Sequence, residues 1–182
     1  MALENKPNDR LFDLMTYVDS SSVKSLIMDI YKINIDDDLK IKEFKEFKRE
    51  PIKIMIHSYG GSVYDGFALI NAINQSKTEI HGFCIGNAFS MGLYILISCH
   101  KKYMYKYSTI MYHEAGNLID GSITKLKENI NEAERLQKLL DEIILTKSNI
   151  SIDQLEKIKL QKQDWFITPN AALSLNLIDE II

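Results

Sequence analysis

The stretch 82–92, which reads GFCIGNAFSMG, constrains the fold more than any other part of this sequence. A β-type apolar run at 80–85 leads into it, and the apolar run at 91–98 that follows has the length of a buried helix. Ser90 therefore falls at a tight strand-to-helix junction, which holds its hydroxyl out of the sheet. Because the first N–H groups of a helix have no intrahelical partner, free amides adjoin that hydroxyl. The junction predicts a nucleophile beside an oxyanion site, with a simple helix-capping role for Ser90 as the alternative.

Composition restricts the classes of protein to which the chain can belong. Its 182 residues suit one domain, and 46% hydrophobic with 26% charged residues is ordinary for a globular protein. A net charge of −3 gives no reason to expect nucleic acid or an anionic membrane as a partner, and we see no signal peptide or membrane-spanning run. Cys84 and Cys99 lie in apolar surroundings without metal-site spacing. We expect a cytoplasmic protein that uses no metal and no cofactor.

The first third of the chain reads as a strand, a helix and a charged segment. Residues 1–9 are polar and predict a flexible terminus, and 10–19 can form a first strand. An apolar stripe from Val23 to Tyr31 predicts a helix with serines 20–22 as candidate caps. Residues 34–50 are dense in both charges and predict a solvated helix or loop, which Pro51 ends.

A second strand-to-helix turn contains two glycines. Residues 52–57 alternate isoleucine with polar residues, as expected for a strand, and end in SYGGSV. Gly60 and Gly61 allow positive φ and a close approach of backbone to a ligand. The pair lacks the spacing of a phosphate-binding loop, and an ordinary β-to-α turn is the alternative.

The second half of the chain predicts further strands and helices. Residues 102–107, 109–113 and 164–167 read as strands, and His113 stands at the end of the second of them. Ser151 and Gln154 form a capping box, and Thr168 before Pro169 begins a last helix. The order indicates an α/β fold of repeated β-β-α units, with crossovers between parallel strands. A histidine at a strand end is more often structural than catalytic, so both roles stay open for His113.

The longest predicted helix, residues 122–146, follows a loop at 116–121. It carries a continuous apolar stripe opposite a charged face. At 1.5 Å per residue it is a rod of about 37 Å, longer than a small core needs. We expect part of it to project and to expose Leu136, Leu140 and Ile143 unless another subunit covers them; folding back on its own domain is the alternative. The stripe consists of Ile123, Leu126, Ile130, Ala133, Leu136, Leu140 and Ile143.

Four motifs together resemble the proteolytic subunit of the Clp protease. They are SYGGSVYDGFALINAI, GNAFSMG, MYHEA and QDWFITPNAALSLNLID, in this order and spacing, and the resemblance runs from about Arg10 to the C-terminus. It implies a serine endopeptidase with the fold shared by Clp protease subunits and crotonases, including a projecting handle helix at 122–146. It also implies heptameric rings, stacked in pairs through the handles around an enclosed chamber, and an AAA+ unfoldase as partner.

The resemblance assigns roles to five positions. It implies that Ser90 is the nucleophile, His113 the general base and Asp164 the carboxylate that orients the histidine. The oxyanion amides would be those of Gly61 and Met91. Such a set agrees with the chemistry of serine, which is a weak nucleophile unless a base contacts it and a carboxylate orients that base.

The sequence departs from the resembled family near the site and at the ends of the fold. Tyr59 stands where the family has proline, and Glu114-Ala115 where it has Gln-Pro. The segment before the first strand is shorter than the family's pore-gating segment, and the charged segment 34–50 is longer than its counterpart. These regions adjoin the unfoldase contacts of the family, so the sequence does not carry that partner over.

Two other functions remain open on the sequence alone. The related crotonase superfamily uses similar turns to hold a thioester oxyanion, but its acyl-CoA enzymes need acidic catalytic residues rather than a Ser-His-Asp set. A ring or shell subunit with a vestigial site is the other alternative. Labelling by a fluorophosphonate separates both from a peptidase, because only an activated serine reacts.

Overall fold

The computed structural model describes residues 10–114, 116, 122–161 and 164–182. The expected flexible terminus at 1–9, the Ala115 departure and most of the loop before the long helix, 117–121, lie outside the described residues. The elements in chain order are β1 (Leu11–Leu14), α1 (Ser20–Glu43), β2 (Ile52–Ser58), α2 (Val63–Gln75), β3 (Ile80–Phe89), α3 (Met91–Ser98), β4 (Lys101–Met104), β5 (Thr109–Tyr112), α4 (Ile123–Lys147), α5 (Ile152–Leu160), β6 (Trp165–Ile167), α6 (Pro169–Ser174) and β7 (Glu180–Ile181).

A mixed sheet organises these elements. Five strands pair in the order β1-β2-β3-β4-β7, and each of these pairs is parallel. Strand β3 is long enough to pair with β4 through its first half and with β5 through its second half, again in parallel. The α/β class is confirmed, with strand and helix alternating through α3 and a β-β-α unit at β4, β5 and α4.

Strand β6 runs antiparallel to β5, a pairing that the expected crossovers between parallel strands did not include. Between these two strands the chain passes through α4 and α5 and re-enters the sheet from the end at which β5 stops. This reversal places the start of β6 beside the end of β5.

The core lies between the sheet and the helices that cover it. Ile52, Ile54 and Ile56 are fully buried, as their alternation predicted. Helix α3 is buried along its whole length, because it packs against β3, α2 and α4. Its apolar character on every side, with no amphipathic stripe, is typical of such a central helix. The sequence bounds of α3 are confirmed.

Helix α1 is longer and better anchored than the sequence indicated. Its N-cap residue is Asp19 rather than one of the serines 20–22, which lie inside the helix, and Ser22 completes the capping box by accepting from the Asp19 amide. The helix continues through the charged segment to Glu43, and Asp37 within it is fully buried. The expectation that 34–50 is only solvated is therefore wrong for this part, because Asp37 pairs with Arg10.

Helix α4 exposes its first half rather than its second. Ser122 caps it as a serine hydroxyl typically does. Leu136 and Leu140 are 5% and 3% exposed, because this half of α4 packs on α3. The expectation that these leucines project into solvent is wrong. Ile123 and Ile130, at 75% and 46% exposure, are the uncovered part of the stripe. Within the described part of the chain, no helix combines the length and apolar character needed to cross a membrane.

Candidate active site

The strand register brings the ends of three strands together. Strand β3 pairs with β5 in parallel, with Phe89 opposite Met111, so Ser90 and His113 follow neighbouring positions at one edge of the sheet. Strand β6 is antiparallel to β5, with Trp165 opposite Tyr112. Asp164, which precedes β6, therefore lies next to the residue that follows β5. Three segments that are distant in the chain converge on one edge.

Ser90 occupies a strained turn between β3 and α3. Its φ of 52° and ψ of −123° lie in a region that residues other than glycine rarely adopt, at a cost of about 1–3 kcal/mol. The surrounding backbone holds it there, because its N–H donates to the carbonyl of Met111 at 2.9 Å and its carbonyl accepts from Leu93 at 3.0 Å. The side chain makes no capping hydrogen bond. The hydroxyl is therefore free of the capping role that was the alternative.

His113 contacts the Ser90 hydroxyl directly. Its Nε2 lies 2.8 Å from Ser90 Oγ, which is ordinary hydrogen-bond distance. The other three histidines have different surroundings: His100 accepts from the Ile80 amide, His81 bonds Glu79, and His57 packs edge-on against Tyr59. Of the histidines the structure describes, His113 is the one that can take a proton from Ser90.

Asp164 lies near the other nitrogen of the same imidazole. Its Oδ1 is 3.6 Å from His113 Nδ1, within range of an ion pair but longer than a hydrogen bond. Both side chains are partly exposed. The structure thus places all three residues in the order Ser90, His113, Asp164. The contact between Ser90 and His113 has hydrogen-bond length, whereas His113 and Asp164 are several tenths of an ångström too far apart for a hydrogen bond.

The glycine turn lies directly against Ser90. Gly60 has φ of 91°, and a Cβ built on it would come within 2.7 Å of Ser90 Cβ and 2.9 Å of the Met91 nitrogen. Only a residue without a side chain fits there. Gly61 has φ of 149° and is bridged to Val18, which donates to the Gly60 carbonyl and accepts from Ser62, both at 2.8 Å.

Two backbone amides adjoin the Ser90 turn: Met91 directly follows Ser90, and Gly61 directly follows Gly60, which packs on Ser90. The bonds that fix the Val18 bridge use the Gly60 carbonyl and the Ser62 amide, and leave the Gly61 N–H unused. Met91 is the first residue of α3, so its N–H has no intrahelical acceptor. Two backbone donors in this position can stabilise a negative oxygen, and each such donor contributes about 3 kcal/mol in known hydrolases.

Sequence reasoning missed the side chains that hold the glycine turn. Ser58 is fully buried and its Oγ accepts from the Gly60 amide at 3.1 Å. Asn87 donates from Nδ2 to the Ser58 carbonyl at 3.0 Å. Asn87 was visible as part of the GNAFSMG stretch, but its contact across two strands depends on the β2–β3 register. Val18 carries no sequence signal at all for its bridge to Gly61.

A cleft of about 500 Å³ opens beside Ser90. The glycine turn, Ser90 and His113 form one side of it, and α4 forms the opposite wall. Tyr64 at its rim donates to Glu132 of α4, and Glu132 also pairs with Arg135, which lowers the pKa of the Glu132 carboxyl to about 2. The cleft joins apolar walls to the nucleophile, as a substrate site requires. Its α4 wall consists of Ala133, Leu136 and Leu140.

The two cysteines are poor candidates for the nucleophile. Both are buried and free, as the sequence predicted. Burial raises the pKa of the Cys84 thiol to about 11 and that of Cys99 to about 12. Since the thiolate is the reactive form, these thiols are inert at neutral pH. The described residues also contain no group of three or more His, Cys, Asp or Glu side chains that could hold a metal ion.

A serine in a strained strand-to-helix turn, in contact with an imidazole and beside free amides, is the arrangement of a serine hydrolase. Comparison with known proteins narrows the class. The family model described as Clp protease matches residues 35–182. Two proteins named ATP-dependent Clp protease proteolytic subunit are similar over nearly the whole chain. The protein of Borrelia garinii subsp. bavariensis is 31% identical over 179 residues, 96% of this chain and 91% of its own.

The second, subunit 1 of Borreliella burgdorferi, is 30% identical over 186 residues, 99% of this chain and 94% of its own. A third, from Borreliella afzelii, is 33% identical over 140 residues, 75% of this chain and 70% of its own. The chain belongs to the Clp protease family, as its motifs predicted. It is a serine-type peptidase, and the acyl-CoA alternative is not favoured.

Proposed function

We propose that this protein is a serine endopeptidase in which Ser90 attacks the peptide carbonyl and His113 is the general base. The observation that carries the proposal is the 2.8 Å contact between His113 Nε2 and Ser90 Oγ at a strained turn. In the first step, Ser90 Oγ bonds to the carbonyl carbon while its proton moves to His113 Nε2. The carbonyl π electrons move to the oxygen, which becomes the oxyanion of a tetrahedral intermediate.

The amides of Gly61 and Met91 stabilise that oxyanion in this proposal. When the intermediate collapses, the C–N bond breaks and His113 gives its proton to the leaving amine. Water then attacks the acyl–Ser90 ester, with His113 again taking a proton and returning it to Ser90. The free amides and the rigid glycine turn support this assignment, since donors held in place before reaction cost no reorganisation.

Asp164 is the orienting carboxylate in the proposed mechanism. It would hold the Nδ1–H tautomer of His113, which leaves Nε2 free to accept the serine proton. The 3.6 Å separation must shorten to about 3 Å for a hydrogen bond. Both side chains are partly exposed, so small rotations suffice. We propose that assembly or substrate binding brings about this closure, because α4 and the segment that carries His113 border the same cleft.

We propose that the subunits form a homo-oligomer, as rings of seven that can stack in pairs. Two helical faces that are exposed and apolar among the described residues support this proposal. One is the first half of α4, with Ile123 and Ile130 exposed. The other is the outer face of α1, where four exposed apolar residues recur at helical spacing. Closed symmetry buries such faces repeatedly. The α1 residues are Met28, Tyr31, Ile35 and Leu39.

A ring would enclose the active sites and restrict substrates to unfolded chains or to one dedicated protein. The similar proteins named above are called ATP-dependent, which supports an AAA+ unfoldase as the partner that delivers substrate. We propose a cytoplasmic location, since Cys84 and Cys99 are free thiols.

The test is labelling with a fluorophosphonate probe, combined with native mass measurement of the same sample. We expect one label per subunit on Ser90, and in Ser90→Ala neither label nor peptide hydrolysis, with the circular dichroism spectrum unchanged. A shell subunit with a vestigial site would assemble but take no label. Full peptidase activity in Ser90→Ala would disprove the role of Ser90.

A further inference from the structure

Four aromatic rings form a continuous row beside Ser90. The ring centroids of Tyr17 and Tyr59 are 6.3 Å apart, those of Tyr59 and Phe89 5.7 Å, and those of Phe89 and Phe166 5.6 Å. The last two pairs meet edge to face, with interplanar angles of 79° and 78°. These distances and angles are the preferred geometry of interacting aromatic rings.

Each member of this aromatic row is tied to a part of the catalytic machinery. Phe89 directly precedes Ser90, Tyr59 directly precedes Gly60, and Phe166 follows Asp164 by two residues. Tyr17 and Tyr59 also line the cleft that contains Ser90 and His113, whereas Phe89 and Phe166 do not. The row therefore begins in the cleft and continues out of it, past the nucleophile.

The rings do not belong to the core. Tyr17, Tyr59 and Phe166 are 63%, 60% and 57% exposed, and none of the four is part of the hydrophobic cluster. Trp165, the residue before Phe166, differs from these four rings because it packs against the core. Rings that are more than half exposed contribute little to the core and leave a large apolar area for a ligand to cover.

We propose that the aromatic row is a second substrate subsite. It binds a large apolar or aromatic side chain from the part of the peptide that lies outside the cleft. This inference rests on the proposed role of Ser90 as nucleophile. A peptide bound with its scissile carbonyl at Ser90 has one side chain in the cleft and must run past Phe89 as it leaves. Tyr59 and Phe166 flank that path through their edge-on contacts with Phe89.

The subsite is a property of this chain's own residues. Tyr59 contacts both Tyr17 and Phe89, so the link between these two rings depends on Tyr59. Removing Tyr59 would separate Tyr17 from the other rings, and removing Phe89 would separate Tyr59 from Phe166. These two positions are therefore the informative ones to change.

The experiment uses the assembled full-length protein and pairs of internally quenched peptides. The peptides of a pair differ only by Phe or Ala at one position on either side of the cleaved bond, and each pair gives a ratio of kcat/KM. We expect the wild type to prefer Phe at one position outside the cleft. In Phe89→Ala and Tyr59→Ala that preference should fall about tenfold, the equivalent of one aromatic contact. In Phe89→Ala, whose ring does not line the cleft, the preference for the side chain bound in the cleft should stay unchanged.

Two matched variants separate ring contact from other effects. Tyr59→Phe keeps the ring and should keep the preference. Tyr107→Ala removes a ring that is even more exposed, in the loop between β4 and β5 and not in the row, and should change nothing. Since the rings are outside the core, circular dichroism should report folded protein for each variant; Phe89→Leu serves as a milder change if Phe89→Ala unfolds.

Three results would overturn the subsite. The first is an equal Phe-to-Ala ratio in the wild type and both variants. The second is a loss of native mass with the ratio unchanged, which would make the row a contact between subunits. The third is an equal loss of rate on every peptide. A failure of the proposed function is distinguishable, because the wild type itself would then take no fluorophosphonate label.

Discussion

Ser90 and Gly60 depend on each other at the level of single residues. Ser90 has a strained backbone, and Gly60 fills the space against its Cβ and the adjoining amide. Neither conformation is favourable for an isolated chain. Both are stabilised by hydrogen bonds: Val18 donates to the Gly60 carbonyl, the Ser58 hydroxyl accepts from the Gly60 amide, and the Met111 carbonyl accepts from the Ser90 amide. Strain at the site is thus balanced by ordinary backbone and side-chain contacts around it.

We expect Gly60→Ala to lower both stability and turnover. The new Cβ would meet the Phe89 carbonyl oxygen at 2.7 Å and the Met91 nitrogen at 2.9 Å, in a backbone with positive φ. The strain and displacement together should cost about 2 kcal/mol, and the oxyanion amide should move. Urea unfolding and kcat measure the two effects.

Gly116→Ala is the matched control for stability. A Cβ at Gly116 has nothing within 4 Å, so the midpoint of unfolding should not fall. If Gly60→Ala were as stable and as active as the wild type, the close packing of the glycine turn on Ser90 would be wrong.

We expect Asp164→Asn to reduce kcat by about four orders of magnitude with little change in KM, because the amide stabilises the wrong tautomer of the histidine. Asp153→Asn, at an exposed carboxylate in the first turn of α5, is the control and should keep full activity. A loss of only a few-fold in Asp164→Asn would mean that the 3.6 Å separation from His113 never closes during turnover.

At the level of elements, α4 has two halves with different roles. Its second half packs on α3 and forms a wall of the cleft. Its first half presents Ile123 and Ile130 to solvent. A single amphipathic helix can therefore serve the core, the substrate site and an interface between subunits. If the subunits assemble as proposed, this arrangement connects assembly with the geometry of the site.

We expect the double variant Ile123→Glu, Ile130→Glu to reduce native mass and peptidase rate together. Both side chains are exposed in the subunit, so its helical content should remain unchanged. Charges placed in an apolar contact between subunits would be desolvated on assembly and would oppose it. Analytical ultracentrifugation and a peptide assay test this on the same sample.

Leu140→Ala distinguishes the interface from the core. Leu140 is 3% exposed, so its truncation to alanine should lower the free energy of unfolding by about 2–5 kcal/mol. The change is measured as a lower midpoint of urea unfolding. A fully active monomer in the Ile123→Glu, Ile130→Glu variant would contradict the assembly proposal.

At the level of the whole molecule, one buried carboxylate ties α1 to the base of the sheet, opposite the site. Asp37 accepts from Arg10 at 2.9 Å and from the hydroxyl of Thr78 at 2.7 Å, and Arg49 lies 3.8 Å away. These partners come from the residue before β1 and the segments before β2 and β3. Burial raises the pKa of Asp37, but the bonds from Arg10 and Thr78 outweigh it and the pKa is lowered overall.

We expect Asp37→Asn to destabilise the fold by about 2 kcal/mol at neutral pH, because two arginines lose their buried partner. The folded pKa is lowered, so this stabilisation is present above the unfolded value near 3.8 and is lost as pH falls through the folded pKa. The difference in the free energy of unfolding between wild type and Asp37→Asn should therefore become smaller below about pH 4.

Asp29→Asn is the matched control, since among the described residues Asp29 pairs only with Lys32, at the surface. It should change stability by less than about 1 kcal/mol at any pH. If the free energies of unfolding of wild type and Asp37→Asn differ by the same amount from pH 7 to pH 3, the carboxylate charge does not stabilise this part of the fold.

Local patterns in the sequence determined most of the elements. The α3 run, the Ser151–Gln154 capping box, the Thr168 cap before Pro169 and the isoleucine alternation of β2 are all present in the structure. These features depend on neighbours within about one helical turn or one strand, which sequence periodicity reports directly. The family also followed from the sequence, because its motifs are short and local.

Long-range contacts decided the rest. Asp37 lies in a run of charges, and only the approach of Arg10 and Thr78 shows that it is buried. The stripe of α4 is continuous in sequence, yet packing on α3 decides which half is covered. The antiparallel β6 brings Asp164 beside His113, and the β3–β5 register brings His113 to Ser90. The sequence by itself determined which residue types could form a site; the register of distant strands, which no local pattern encodes, decided that they meet.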